Sequence, residues 1–146
     1  MSAPQSSTAK KIQTYLNSLS TEKHMDMSRL HDLILALMPD CDLWFLDGKD
    51  ATGKTVSNPN IGYGHHDISY ANGSVRDFYR IGLSANTGGI SVYIFGIKNK
   101  TFLSQKFSAY IGKATVSGYC IKFKKLADID LGTLTKAIET GIAGKE

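Results

Sequence analysis

The chain has 146 residues, 42% of them hydrophobic and 21% charged, the size and balance of one folded domain around a single core. Its net charge of +4 and pI near 9.0 are mild; they admit an anionic ligand without requiring one. Cys41 and Cys120 lie far apart with no ligand spacing, which argues against a clustered structural zinc site.

The N-terminal stretch lacks the apolar segment of a secretion signal, and no apolar run has membrane length. These features predict a cytoplasmic protein with reduced thiols and no membrane segment. Residues 1–8 read as a disordered polar lead-in, 9–142 as one domain and 143–146 as a tail. Ile12, Tyr15, Leu16 and Leu19 recur at helical spacing and predict a helix over 8–19. Ser20-Thr21 reads as a break and a new cap. Met27, Leu30, Leu33, Ile34, Leu37 and Met38 then form the clearest apolar stripe in the chain. Pro39 ends it. Asp26, Arg29, His31 and Asp32 fall off that stripe, on the side open to water.

Leu43-Trp44-Phe45-Leu46 suits a strand, and the polar, glycine-containing stretch 47–60 reads as a loop. From Ile61 the period becomes two. Strands are predicted near 61–70, 77–84, 89–96 and 115–124, with turns at Ala71-Asn72-Gly73-Ser74 and Asn86-Thr87-Gly88-Gly89. Thr101 to Tyr110 suits a short helix with Phe102, Leu103 and Phe107 facing inward. A last helix over 130–142 uses Leu131, Leu134, Ala137 and Ile138, with Asp128 or Asp130 as its cap.

Gly48-Lys49-Asp50-Ala51-Thr52-Gly53-Lys54-Thr55 satisfies the phosphate-loop pattern G-x-x-x-x-G-K-[ST]. A working phosphate loop needs a helix directly after it, whose free amides and dipole meet the phosphates. Here Val56-Ser57-Asn58-Pro59 follows, with no helical period and a proline. The hairpin signals also replace the βαβ units of a nucleotide hydrolase. The match reads as a loop that fits the pattern by chance.

His65-His66-Asp67 opens a predicted strand, where His65 and Asp67 share one face and His66 points away. The pair suits a metal or a proton, or is simply an exposed hairpin end. Asp40, Asp42, Asp47 and Asp50 form an acidic patch; carboxylates suit hard cations, including iron, and equally suit turns. Cys120, beside Lys122, reads either as a thiol of lowered pKa or as a small, partly buried filler.

The sheet carries the more informative pattern. In the strand from Ile90 to Phe95, Ile90, Val92 and Ile94 share one face; Ser91, Tyr93 and Phe95 take the other. In the strand from Tyr119 to Lys124, Tyr119, Ile121 and Phe123 face the core, while Cys120, Lys122 and Lys124 face away. With few helices available, one side of the sheet stays open. The open side would set aromatics beside lysines, joined by Arg80 and Asp67, chemistry that suits an anionic planar ligand. An ordinary exposed sheet face, filled with Tyr and Lys pairs, is the plainer reading. No Ser-His-Asp or Cys-His nucleophile set can be assembled.

The series Trp44, Ile61-Gly62-Tyr63-Gly64, Tyr70-Ala71-x-Gly73, Asp77-Phe78, Gly82-Leu83-Ser84, Ile90-Ser91-Val92-Tyr93-Ile94, Gly96, Gly112-Lys113, Cys120 and Lys125-Leu126-Ala127-Asp128-Ile129-Asp130-Leu131 resembles the YdhG-like family. That family is a domain of unknown function in small bacterial proteins. The resemblance implies an α+β fold, two-layered, with a mainly antiparallel sheet and N- and C-terminal helices on one face. Some members are described as frataxin-like iron chaperones, which implies binding without bond-making chemistry. The chain departs from the family at the apparent insertion 47–60, at Asp67 and at Ser117-Gly118-Tyr119, and its basic pI fits poorly with an acidic iron-presenting surface.

The sequence thus predicts a non-enzymatic binding or adaptor module, monomeric or homodimeric. Its ligand is a small anionic molecule or a protein partner, held around Asp67, Arg80, Tyr93 and Lys122, with no cofactor. The alternative is iron carried by Asp40, Asp42, Asp47 and Asp50. Nucleic acid is the weakest option.

Overall fold

Ser20 separates the first two helices: its side chain accepts a hydrogen bond from the Lys23 amide at 3.4 Å, as expected of a serine cap. The computed structural model describes residues 3–97 and 99–144. The helices are α1 (Ala3–Asn17), α2 (Thr21–Leu37), α3 (Phe102–Phe107) and α4 (Leu131–Ala143). The strands are β1 (Leu43–Leu46), β2 (Asn60–Tyr63), β3 (His66–Ser69), β4 (Val75–Phe78), β5 (Ile81–Asn86), β6 (Gly89–Ile94), β7 (Ala114–Ser117) and β8 (Cys120–Phe123).

Six strands form one sheet in the order β1-β2-β5-β6-β8-β7, each neighbour antiparallel. β3 and β4 make a separate two-stranded ribbon. The helices pack on one face of the six-stranded sheet: α1 against β1, α2 against β5, α3 against β7, and α4 against β5 and β6. The fold is a two-layer α+β domain with a single core. No helix of the described residues is long and apolar enough to cross a membrane.

The core follows the apolar patterns closely. Met27, Leu30 and Ile34 of α2 are buried, and Leu33, Leu37 and Met38 pack at their margin. Ile81, Leu83, Ile90, Val92, Ile94 and Ile121 line the inner sheet face and are fully buried. Each such aliphatic side chain stabilises the fold by about 1.5–3 kcal/mol. Asp130 caps α4 by accepting the Thr133 amide at 2.9 Å. Gly141 lets α4 approach the sheet, because a Cβ there would lie 2.2 Å from Ile94 Cγ2.

Several boundaries differ from expectation. α1 begins at Ala3, inside the stretch expected to be a disordered lead-in; residues 1 and 2 lie outside the described residues. α4 reaches Ala143 and ends on Gly144 in the left-handed region (φ 67°); residues 145 and 146 of the expected tail are likewise outside. The strand expected over 61–70 is broken at Gly64 (φ 73°). The strand expected near 77–84 is two strands, β4 and β5. The strand expected over 115–124 is the hairpin β7–β8, turning at Gly118. Two residues expected in water are engaged instead. Asp26 Oδ2 accepts the Leu126 amide at 3.0 Å, and His31 meets Tyr63.

Candidate functional site

Strand register arranges the sheet face away from the helices into two rows. One row runs Trp44, Gly62, Gly82, Tyr93, Cys120, Ser117 across the six strands. In the next row, Ser84, Ser91, Lys122 and Thr115 are successive partners. The helix-free face is therefore aromatic along one row and polar along the other.

Gly62 and Gly82 face each other and leave a slot that Tyr79 fills. A Cβ on Gly62 would lie 2.5 Å from Tyr79 Cδ2, and one on Gly82 would lie 2.4 Å from its Cε1. Tyr79 is consequently 4% exposed although no helix covers it. Its ring stacks on Phe78 (centroids 4.1 Å apart) and meets Phe95 at 5.6 Å and Trp44 at 6.5 Å. Phe95 continues the band to Tyr93, nearly parallel at 6.0 Å, and to Tyr119 at 6.1 Å. Such pairs contribute about 0.5–1.5 kcal/mol each beyond burial, so the buried Tyr79 anchors the band. Trp44, Phe78, Phe95, Tyr93 and Tyr119 remain partly exposed.

At the band's end, Tyr93 and Ser91 of β6 stand beside Cys120 and Lys122 of β8. Tyr93 and Lys122 are diagonal neighbours on one face, a spacing of roughly 7–8 Å that long side chains bridge. Burial raises the Tyr93 hydroxyl pKa, the Cys120 charge adds to that, and a hydrogen bond with Ser91 offsets part of it. Burial likewise raises the Cys120 thiol, outweighing the Ser91 hydrogen bond and the attraction of Lys122. Cys120 is therefore a protonated thiol at neutral pH, not an activated thiolate. The corner offers an aromatic face, a hydroxyl and an exposed ammonium, which together suit stacking and anion contact.

The other residues expected on this face lie elsewhere. Arg80 points to the helix layer: its Nε donates to the Gly141 carbonyl at 2.8 Å and its Nη1 to the His65 carbonyl at 3.3 Å. There its charge complements the carbonyl end of α4. The cause is a kink after Tyr79. Tyr79 sits over the outer face while Arg80 and Ile81 both turn toward α4, which breaks the alternation. Asp67 is exposed on the β3–β4 ribbon opposite Asp77. Of the expected set, Tyr93 and Lys122 are brought together; Asp67 and Arg80 are not part of that corner.

His65 pairs differently from expectation. Gly64 interrupts the strand, and His65 bonds Asp42 through Nε2 (2.7 Å) and Asp77 through Nδ1 (3.0 Å). Asp67 is not its partner. Two carboxylates on one imidazole favour the charged form, and the hydrogen bond with Asp42, then that with Asp77, raises the His65 pKa. Trp44 packs on this histidine at 5.6 Å. His31 shows the opposite shift. Half-buried, its Nδ1 lies 2.6 Å from the hydroxyl of fully buried Tyr63, and desolvation lowers its pKa.

The acidic quartet does not gather. Asp42 is bound to His65. Asp47 accepts the Lys49 amide, and Asp50 accepts the Thr52 and Lys54 amides and the Thr52 hydroxyl. Among the described residues no group of three or more His, Cys, Asp or Glu is placed to share a metal ion. Asp40, Asp42, Asp47 and Asp50 are therefore not brought together as a common ligand group among the described residues: His65 engages Asp42, and turn amides engage Asp47 and Asp50. The phosphate-loop lookalike ends the same way. No helix follows it, and the Asp50 carboxylate already occupies loop amides that a phosphate would need.

Trp44, Phe78 and Tyr79 were not legible as site residues. The available signal was the pair of glycines at Gly62 and Gly82, each followed or preceded by core aliphatics, which marks a slot when register sets them opposite. Compared with known proteins, the chain matches no family model, no curated protein and no solved structure.

Proposed function

We propose that this chain is a non-catalytic, cytoplasmic binding module that recognises a small planar anionic ligand on the helix-free face of its sheet. The observation that carries this reading is the partly exposed aromatic band ending at Tyr93, with Lys122 diagonal to it. A ligand ring stacks beside Tyr93 while Lys122 meets its charge. The glycine-seated Tyr79 keeps the platform in place before binding, which limits the ordering cost. No observation favours the iron reading.

Thermal-shift screening against planar carboxylates tests the proposal. Hits should raise the melting temperature of the parent and lose that effect in Tyr93→Ala and Lys122→Ala, with circular dichroism checking that both variants keep the parent's fold. If no compound class stabilises the parent, or if the hits ignore both substitutions, the reading is wrong.

A further inference from the structure

A second basic surface lies away from the aromatic band, where α1 meets β1 at the edge of the sheet. Two adjoining hollows of about 580 Å³ and 500 Å³ share Lys11, Phe45, Asp47 and Lys49, within the usual size range of small-molecule sites. Lys10 joins the lining from α1. Among the described residues, the ammonium groups of Lys10, Lys11 and Lys49 make no hydrogen bond or ion pair. Three cations therefore surround the hollows with Asp47 as the lining carboxylate. That carboxylate is already engaged with the Lys49 amide at 3.0 Å.

The backbone beneath each lysine is well held. Lys10 and Lys11 lie one helical turn before Thr14 and Tyr15, on neighbouring positions of the same surface. The Thr14 hydroxyl donates to the Lys10 carbonyl at 3.0 Å, and the Tyr15 hydroxyl accepts the Ala85 amide at 2.9 Å across the sheet. Lys49 is fixed by its bridge to Thr55. Phe45 forms the apolar floor, tilted against Tyr15 at 5.6 Å and only partly buried.

We infer that this cleft binds a small organic phosphate, with the phosphate among Lys10, Lys11 and Lys49 and a planar group over Phe45. A phosphate dianion spreads its charge over several oxygens and so can meet three separate point-charge ammoniums. The partly exposed ring supplies a stacking surface that an inorganic anion does not use. This site does not work as a phosphate loop, since the loop amides are held by Asp50. It is also independent of the Tyr93 corner.

Amide-resolved NMR titration of the full chain with adenosine 5′-monophosphate, adenosine and inorganic phosphate tests the inference. The nucleotide should saturably shift the Lys11, Phe45, Gly48 and Lys49 amides, and bind more tightly than either fragment. The triple variant Lys10→Ala, Lys11→Ala, Lys49→Ala should weaken nucleotide binding on the order of tenfold. Its melting temperature should stay near the parent's, because those side chains are exposed. The matching triple Arg variant should retain binding. Shifts scattered over other lysines, equal affinity for inorganic phosphate, or unchanged binding in the triple Ala variant would each overturn it.

Discussion

Gly82→Ala probes the seat of the aromatic band. Gly82 has ordinary negative-φ backbone, so alanine is allowed there and by itself would stabilise the strand by about 0.5–1 kcal/mol. The obstacle is steric. The new Cβ would sit 2.4 Å from Tyr79 Cε1 and 2.9 Å from its Cζ, against an ordinary carbon contact of about 3.5–4.0 Å. The ring must rise by about 1 Å, yet it is 4% exposed and held against Phe78, Phe95 and Trp44. Overpacking of this kind costs about 1–3 kcal/mol. Less the backbone gain, the net loss is up to about 2.5 kcal/mol; in a chain of this length each kcal/mol moves the melting temperature by about 2–4 °C, so a fall of up to about 10 °C is expected. Circular dichroism melts measure the fall. Emission from Trp44, the single tryptophan, reports whether the band has shifted. A melting temperature within about 1 °C of the parent, with unmoved Trp44 emission, would refute the claim that Tyr79 rests on the glycine slot.

Gly132→Ala is the opposite case: it lies in the first turn of α4, with only Asp130 Oδ2 nearby at 3.6 Å, and should stabilise the protein by up to about 1 kcal/mol in chemical denaturation. The histidines should titrate in a set order by NMR, His65 above the ordinary 6.5 and His31 below it. For His31 the unfolded chain binds the proton more readily, so its contribution to stability is present above pH 6.5 and lost as pH falls below it. For His65 the folded state binds the proton more readily, so its contribution is present below 6.5 and lost as pH rises through its raised pKa. Lys54→Ala should leave magnesium-ATP binding unchanged; loss of tight binding in that variant would restore the phosphate loop that the Asp50 contacts rule out.

Much of the layer arrangement was legible in the sequence because each element carries its own period. The stripe Met27, Leu30, Ile34 and the alternation Ile90, Val92, Ile94 both sit where those periods place them. The face assignments of Tyr93 and Lys122 follow from the same alternation. What could not be read depends on contacts between distant segments. His65 finds Asp42 and Asp77, separated from it by 23 and 12 residues, and no local pattern encodes either pairing. Arg80 left its expected face because Tyr79 folds onto glycines of two strands, a break in period that its neighbours do not announce. The acidic residues of 40–50 are close in sequence, yet Asp42 meets His65 while Asp47 and Asp50 each meet amides of their own turns.

The proposed function stands on recognition at the Tyr93–Lys122 corner of the helix-free sheet face. Amide-resolved NMR with a library of planar carboxylates tests it. Hits should give shifts that centre on Ser91, Tyr93, Cys120 and Lys122 and vanish in Tyr93→Ala. Hits that leave those four amides still, or a library that yields none, would contradict it.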